Sequence, residues 1–154
     1  MIKLLDLLEN KILLPRRSPE ERQKNLLTIA QKQIQQHIKD GSKGDLDLGN
    51  TPIKSLPQGL KVGGDLNLYK TPIESLPQDL VVGGNLYLYL SQVQSLPLGL
   101  KVGGNLYISP HIQSLPPDLK VGGDLHLSFT QMFNKYTEEE IRQMAPGIKG
   151  EIKY

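Results

Sequence analysis

The chain has 154 residues, with 38% apolar side chains, 15 Gly, 11 Pro and no Cys. That length suits about one domain, and the lack of Cys excludes disulfides, thiolate zinc sites and cysteine nucleophiles. A net charge of +2 is too small to argue for nucleic acid by itself.

The charge is unevenly spread. Residues 1–43 hold nine Lys/Arg against five Asp/Glu (+4), residues 44–133 five against seven (−2), and residues 134–154 four against four. The basic part is therefore the N-terminal segment, and the middle is slightly acidic.

In chain order, Leu4, Leu5, Leu8 and Ile12 fall at helical spacing, and Pro15 ends that predicted helix. Lys3, Asp6, Glu9 and Lys11 interrupt the apolar run, which argues against a secretory signal. No apolar stretch reaches the length needed to span a bilayer, and the expected address is cytoplasmic. Ser18-Pro19-Glu20-Glu21 then reads as a capping box with Pro at the first helical position. The helix that it opens should carry Leu26, Leu27, Ala30, Ile34 and Ile38 on one side and end at Gly41. Residues 1–43 together read as an N-terminal helical cap. Arg16, Arg17, Arg22, Lys24, Lys32 and Lys39 are either a solvated face of that cap, the simpler reading, or an arm for an acidic partner.

An internal repeat follows. Gly-Gly pairs stand at 63/64, 83/84, 103/104 and 122/123, spaced by 20, 20 and 19 residues, with one residue missing near Pro110. Within each copy the frame is Leu-x-Leu-x-x-Thr-x-Ile-x-x-Leu-Pro-x-x-Leu-x-Val-Gly-Gly. Leu66 and Leu68, two apart, belong on one face of a short strand, with Asp65, Asn67 and Tyr69 on the other. Ile73, Leu76, Leu80 and Val82 supply the other inward positions. The Gly-Gly pair is expected to turn the chain through positive φ. No copy buries these residues alone, whereas stacked copies do. Leu46, Leu66, Leu86, Leu106 and Leu125 should start equivalent strands of one parallel sheet.

This frame resembles the leucine-rich-repeat family, specifically the short bacterial class with Leu-Pro dipeptides found in secreted effectors; similar short repeats occur in phage-encoded proteins. The resemblance covers residues 44–133 and implies an α/β repeat fold, a leucine-rich-repeat solenoid of about five coils with a parallel β-sheet. Thr51, Thr71 and Ser91 replace the usual Asn of the family frame, so its asparagine ladder is lost, although a hydroxyl can still bond to backbone. The alternative architecture is a closed right-handed β-helix; proline after Leu56, Leu76, Leu96 and Leu115 favours the open repeat. The effectors often carry a ubiquitin-ligase domain with a cysteine nucleophile, which does not carry over to a chain without Cys.

Residues 134–154 read as a C-terminal cap. Thr137-Glu138-Glu139-Glu140 is a second capping box, Ile141 and Met144 give a short apolar face, and Pro146-Gly147 stops the helix. Residues 148–154 alternate like a closing strand.

Catalytic motifs are weak. His37, His111 and His126 are far apart and lack a metal spacing, and neither a Walker loop nor Gly-x-Ser-x-Gly occurs. Asp45, Asp65, Asn85, Asn105 and Asp124 hold one repeat position. Such a row could ligate a cation through oxygen, but the preferred reading is a solvated row that caps the Gly-Gly turn. The expectation is no catalytic, cofactor or metal site. Tyr69, Tyr87, Tyr89 and Tyr107 fall on the outward strand face in two adjoining columns, in the middle coils where a binding hot spot is expected. Asp65, Asn67, Asn85, Asn105 and His126 would form the polar rim.

The resulting expectation is a non-catalytic protein-binding module. The bacterial and phage resemblance implies an inhibitor of a host or defence protein, acting in the host cytosol if so delivered. The alternative is a nucleic-acid binder that uses the basic N-terminal helices. No small-molecule substrate and no membrane partner are expected.

Overall fold

A computed structural model describes residues 18–128 and 130–154. The expected helix over residues 1–14, together with Arg16 and Arg17, lies outside the described residues.

The chain is a parallel-strand β-solenoid with turns of about 20 residues. It opens with helix α1 (Pro19–Lys39). Ser18 Oγ accepts the Glu21 N–H, and Glu21 returns a carboxylate to the Ser18 N–H, so the expected capping box forms. The helix stops at Lys39, and Gly41 follows in the left-handed region at φ +77°.

Each turn then contributes two short strands to two different sheets. The first sheet runs β1 (Leu46–Asp47), β3 (Leu66–Asn67), β5 (Leu86–Tyr87), β7 (Leu106–Tyr107), β9 (Leu125–His126) and β11 (Ile152–Lys153), all parallel. The five expected strand starts align in register, and Leu46, Leu66, Leu86, Leu106 and Leu125 are all buried. The second sheet runs β2 (Lys61–Val62), β4 (Val81–Val82), β6 (Lys101–Val102), β8 (Lys120–Val121) and β10 (Gly147–Ile148).

The repeat frame does not announce this second sheet, because each of its strands is only two residues long. A second ladder is a feature of the closed solenoid. The Leu-Pro side behaves as its prolines suggest: its one isolated bridge joins Ser75 and Ser95.

The core is a stack of equivalent side chains. Ile73, Leu76, Leu80 and Val82 are buried as expected, and their counterparts in neighbouring turns join the same cluster. Each buried Leu contributes about 1.5–3 kcal/mol relative to an exposed one.

The Gly-Gly pairs have a different cause from the expected one. None of these glycines adopts positive φ; the left-handed glycines are Gly41, Gly44, Gly59 and Gly99. A Cβ on Gly83, Gly103 or Gly122 would collide with the carbonyl of the equivalent glycine one turn earlier, and a Cβ on Gly84 with Asp65 Oδ1. Close stacking of backbone on backbone therefore requires glycine here. One left-handed position of the repeat is taken by Gly59, Asp79 and Gly99, and a second by Asn50, Lys70 and Leu90, at φ +58°, +53° and +55°. The fourth turn is one residue short just here, so Ser109-Pro110-His111 crosses the corner without such a residue.

Helix α1 meets the solenoid through part of the expected face, with Leu27 packed against the core as well. Ala30, Ile34 and His37 are buried, whereas Leu26 and Ile38 are 42% and 43% exposed. Packing follows the 30/34/37 stripe of the C-terminal half, and the first half, through Ile29, stays largely outside the core. His37 Nε2 lies 3.3 Å from the Lys61 carbonyl.

At the other end a 3₁₀ turn (Gln131–Asn134) leads to α2 (Glu138–Met144), whose capping box joins Thr137 and Glu140. The expected closing strand divides in two. β10 pairs with β8, and β11 with β9, while Gly150 and Glu151 take the places of Gly123 and Asp124. The tail is thus a last, degenerate turn in which α2 replaces the Leu-Pro arm.

Candidate functional site

The outward face of the first sheet is set by register. Asp47, Asn67, Tyr87, Tyr107, His126 and Lys153 form one column. Tyr69 and Tyr89 occupy a second column, two residues further along their turns. Parallel pairing separates successive rings by about 4.8 Å, close enough for aromatic contact.

The rings use that spacing. Tyr87 stacks on Tyr107 with centroids 4.8 Å apart and planes 15° apart. Tyr107 stacks on His126 at 4.2 Å and 18°, and Tyr89 meets Tyr107 edge-on at 5.4 Å. Four rings therefore form one cluster over the third to fifth turns. Tyr69, 39% exposed, stands beside it without a ring contact among the described residues. Because stacked rings cover each other's faces, the cluster offers its edges and hydroxyls to a partner.

Burial holds the Tyr87 phenol above its ordinary pKa, with Asp65 and Tyr107 adding to the effect. Burial also raises Tyr89, opposed by a bond to the Ser128 side chain. Both hydroxyls keep their protons near neutral pH and remain hydrogen-bond donors.

His126 is part of the stack and not of a polar rim. Its Nε2 is buried and, among the described residues, without a hydrogen-bond partner. Burial lowers its pKa; the Lys153 ammonium lowers it further, and Asp124 opposes. The imidazole is therefore neutral at pH 7, a third flat ring closing the tyrosine stack. Lys153 binds Asp124 Oδ2 at 2.6 Å, which holds Asp124 below and Lys153 above their ordinary values.

The other expected rim residues are engaged internally. Asp45 Oδ1 accepts the Asp65 N–H at 2.8 Å, Asp65 Oδ1 the Asn85 N–H at 2.7 Å, and Asn85 Oδ1 the Asn105 N–H at 2.7 Å. Asn105 Oδ1 accepts from Asp124, and Asp124 Oδ1 from Glu151, at 2.8 and 2.9 Å. This row is a turn-to-turn ladder that satisfies the N–H of the residue after each Gly-Gly pair. The pair itself is not capped by it as expected, since its second glycine donates to the equivalent glycine carbonyl one turn earlier. Among the described residues, no group of three or more His, Cys, Asp or Glu is placed to hold a metal. Asn67 is similarly occupied, donating to Asp47 Oδ1 at 2.9 Å and accepting the Tyr69 N–H at 2.9 Å.

A ladder thus exists, but not in the Thr51 column. There the hydroxyls of Thr51, Thr71, Ser91 and Thr130 donate within their own turns to the carbonyls of Leu48, Leu68, Leu88 and Leu127, at 2.6–2.9 Å. Sequence reading placed the Asp/Asn row at one repeat position in successive turns but did not foresee that its members hydrogen-bond from turn to turn.

The remaining histidines are dispersed: His37 lies under the cap, and His111 at the shortened corner of the fourth turn. Among the described residues no helix is long and apolar enough to cross a membrane. No family model, no curated protein and no solved structure matches the chain.

Proposed function

We propose that the chain is a non-catalytic protein-binding module of the leucine-rich-repeat type, and that its partner docks on the outward face of the first sheet. The Tyr87–Tyr107–His126 stack, buttressed by Tyr89, is the observation that carries this reading. Repeat packing does not require aromatics there, since the first turn carries Asp47 and Gly49 at the same two positions. Tyrosine provides large contact area with few torsions to freeze and a hydroxyl that bonds to a partner. The pre-stacked rings have already given up part of that freedom, which lowers the ordering cost on binding. Tyr69, Tyr87, Tyr89 and Tyr107 form the contact centre, with Asp65, Asn67, Asn85 and Asn105 at its edge through whatever polar atoms the ladder leaves over. The Leu-Pro repeat class supports an inhibitor of a host or defence protein, working in the cytoplasm.

Affinity capture from a lysate of the source or host cells tests this. The wild-type chain should retain one or more proteins that Tyr87→Ala/Tyr107→Ala loses, while the variant still melts cooperatively. Equal capture by both chains would remove the tyrosine face from the proposal.

A further inference from the structure

The second sheet carries a different surface. Its register puts Lys61, Val81, Lys101 and Lys120 in one outward column, and all three lysines are exposed. The flanking turns each add a lysine in the neighbouring column, two residues further along. Lys149 donates its N–H to the Val121 carbonyl as Gly122 does to Val102, so it takes the first-glycine place of the last turn. Lys43 takes the same place ahead of the first turn, since Gly44 is the counterpart of Gly64. Both are exposed. Five lysines thus line one side of the solenoid from its cap to its last turn. Among the described residues none of them forms an ion pair.

The carboxylates on this side are Asp79 and Asp118, and Asp118 is turned to accept the Gly99 N–H at 2.8 Å. The Asp45/Asp65/Asp124 ladder lies beyond the Gly-Gly corner. At about 4.8 Å per turn, Lys61 to Lys120 spans roughly 14 Å of a straight, rigid edge.

We infer that this lysine row is a docking surface for the phosphate backbone of double-stranded nucleic acid, separate from the tyrosine face. The chemistry favours that occupant over others. A protein hot spot needs an aromatic or large apolar centre, and this column offers only a half-buried Val81. A bilayer needs inserted apolar groups, and only Leu98, 64% exposed, protrudes at the neighbouring turn. Base reading needs forked or amide side chains, which the column lacks. Point charges set along one straight edge match a charged rod without reading its bases, so binding is independent of sequence and sensitive to salt.

Fluorescence anisotropy of the full chain with a labelled 24-base-pair duplex, across a salt series, tests the inference. Each phosphate neutralised contributes a slope of about −0.9 in log K against log salt, so engagement of all five lysines gives about −4.5. Lys61→Gln/Lys101→Gln/Lys120→Gln should flatten the slope by nearly 3 and weaken binding at least about tenfold at low salt, with unchanged melting. Tyr87→Ala/Tyr107→Ala should bind the duplex as wild type does, which keeps failure here distinct from failure of the tyrosine reading. Undetectable duplex binding at low salt, or a lysine variant with wild-type affinity and slope, overturns the inference. So does tighter binding at equal salt to polyglutamate or to phosphatidylserine vesicles.

Discussion

The first and second sheets are built from the same turns, and their inward positions are almost interchangeable: Leu66 and Leu86 in one, Val82 and Val102 in the other, all buried. Their outward columns diverge. Along the first sheet the residue changes at nearly every turn, from Asp47 through Asn67, Tyr87, Tyr107 and His126 to Lys153. Along the second it is Lys61, Val81, Lys101 and Lys120. Folding constrains the inside of both sheets and leaves the outside open. A varied column with a local aromatic cluster suits one shaped partner, whereas a lysine column interrupted only at Val81 suits a repetitive one.

The sharpest way to break the division between inside and outside is to charge the inside. Leu86→Asp places an unpaired carboxylate between Leu66 and Leu106 and should abolish cooperative thermal unfolding. A soluble variant that melts like the wild type would overturn the stacked-core account. Gly103→Ala comes next, because its methyl meets the Gly83 carbonyl, which is held in the stack. A loss of about 3 kcal/mol in denaturant titrations is expected. Gly99→Ala meets only an ordinary contact, Asp79 Oδ1 at 3.7 Å, and is penalised mainly by its left-handed φ of +77°, about 1–2 kcal/mol. A larger loss at Gly99 than at Gly103 would reverse the explanation of the Gly-Gly pairs.

On the outer face, Tyr87→Ala/Tyr107→Ala should weaken a captured partner by about 2 kcal/mol or more. Stability should fall by only about 1–2 kcal/mol, from the lost ring contacts. Arg22→Glu on α1 should leave partner affinity near wild type, and isothermal titration separates the two variants.

The smallest effect is pH dependence. The folded-state pKa of His126 lies below its unfolded value of about 6.5, so the unfolded chain takes up more protons as the solution is acidified. Its contribution is intact above that unfolded value and is lost as pH falls below it. His126→Gln should flatten the stability profile between pH 7 and 5. The Asp124–Lys153 pair acts outside that window: Asp124 loses its contribution as pH falls through its lowered folded pKa, and Lys153 as pH rises through its raised one.

The parts of the fold readable in sequence are those whose cause is local or periodic. The Leu-x-Leu recurrence marks the first sheet, and Ser18/Glu21 and Thr137/Glu140 mark both helix starts within four residues. The second sheet was not readable, because Lys61-Val62 is too short to show alternation and is fixed only by pairing with Val81-Val82. The face of α1 was readable in part: Leu27, Ala30 and Ile34 pack on the core, whereas Leu26 and Ile38 at the margins of the stripe stay exposed and His37 is buried. Glycine at 83 and 103 pointed to a turn, when the governing contact was with backbone 20 residues away. At the candidate site the tyrosine columns were readable from repeat phase. The closeness of His126 to them, and the diversion of Asp65, Asn85 and Asn105 into a ladder, depend on side-chain directions between turns.

Tyrosine acetylation by N-acetylimidazole, read by mass spectrometry with and without the captured partner, tests the binding face most directly. The account predicts that the partner protects Tyr69, Tyr87, Tyr89 and Tyr107, while Tyr154, 44% exposed at the far end of the chain, reacts equally in both states. Protection of Tyr154 with the four strand tyrosines still reactive would contradict it.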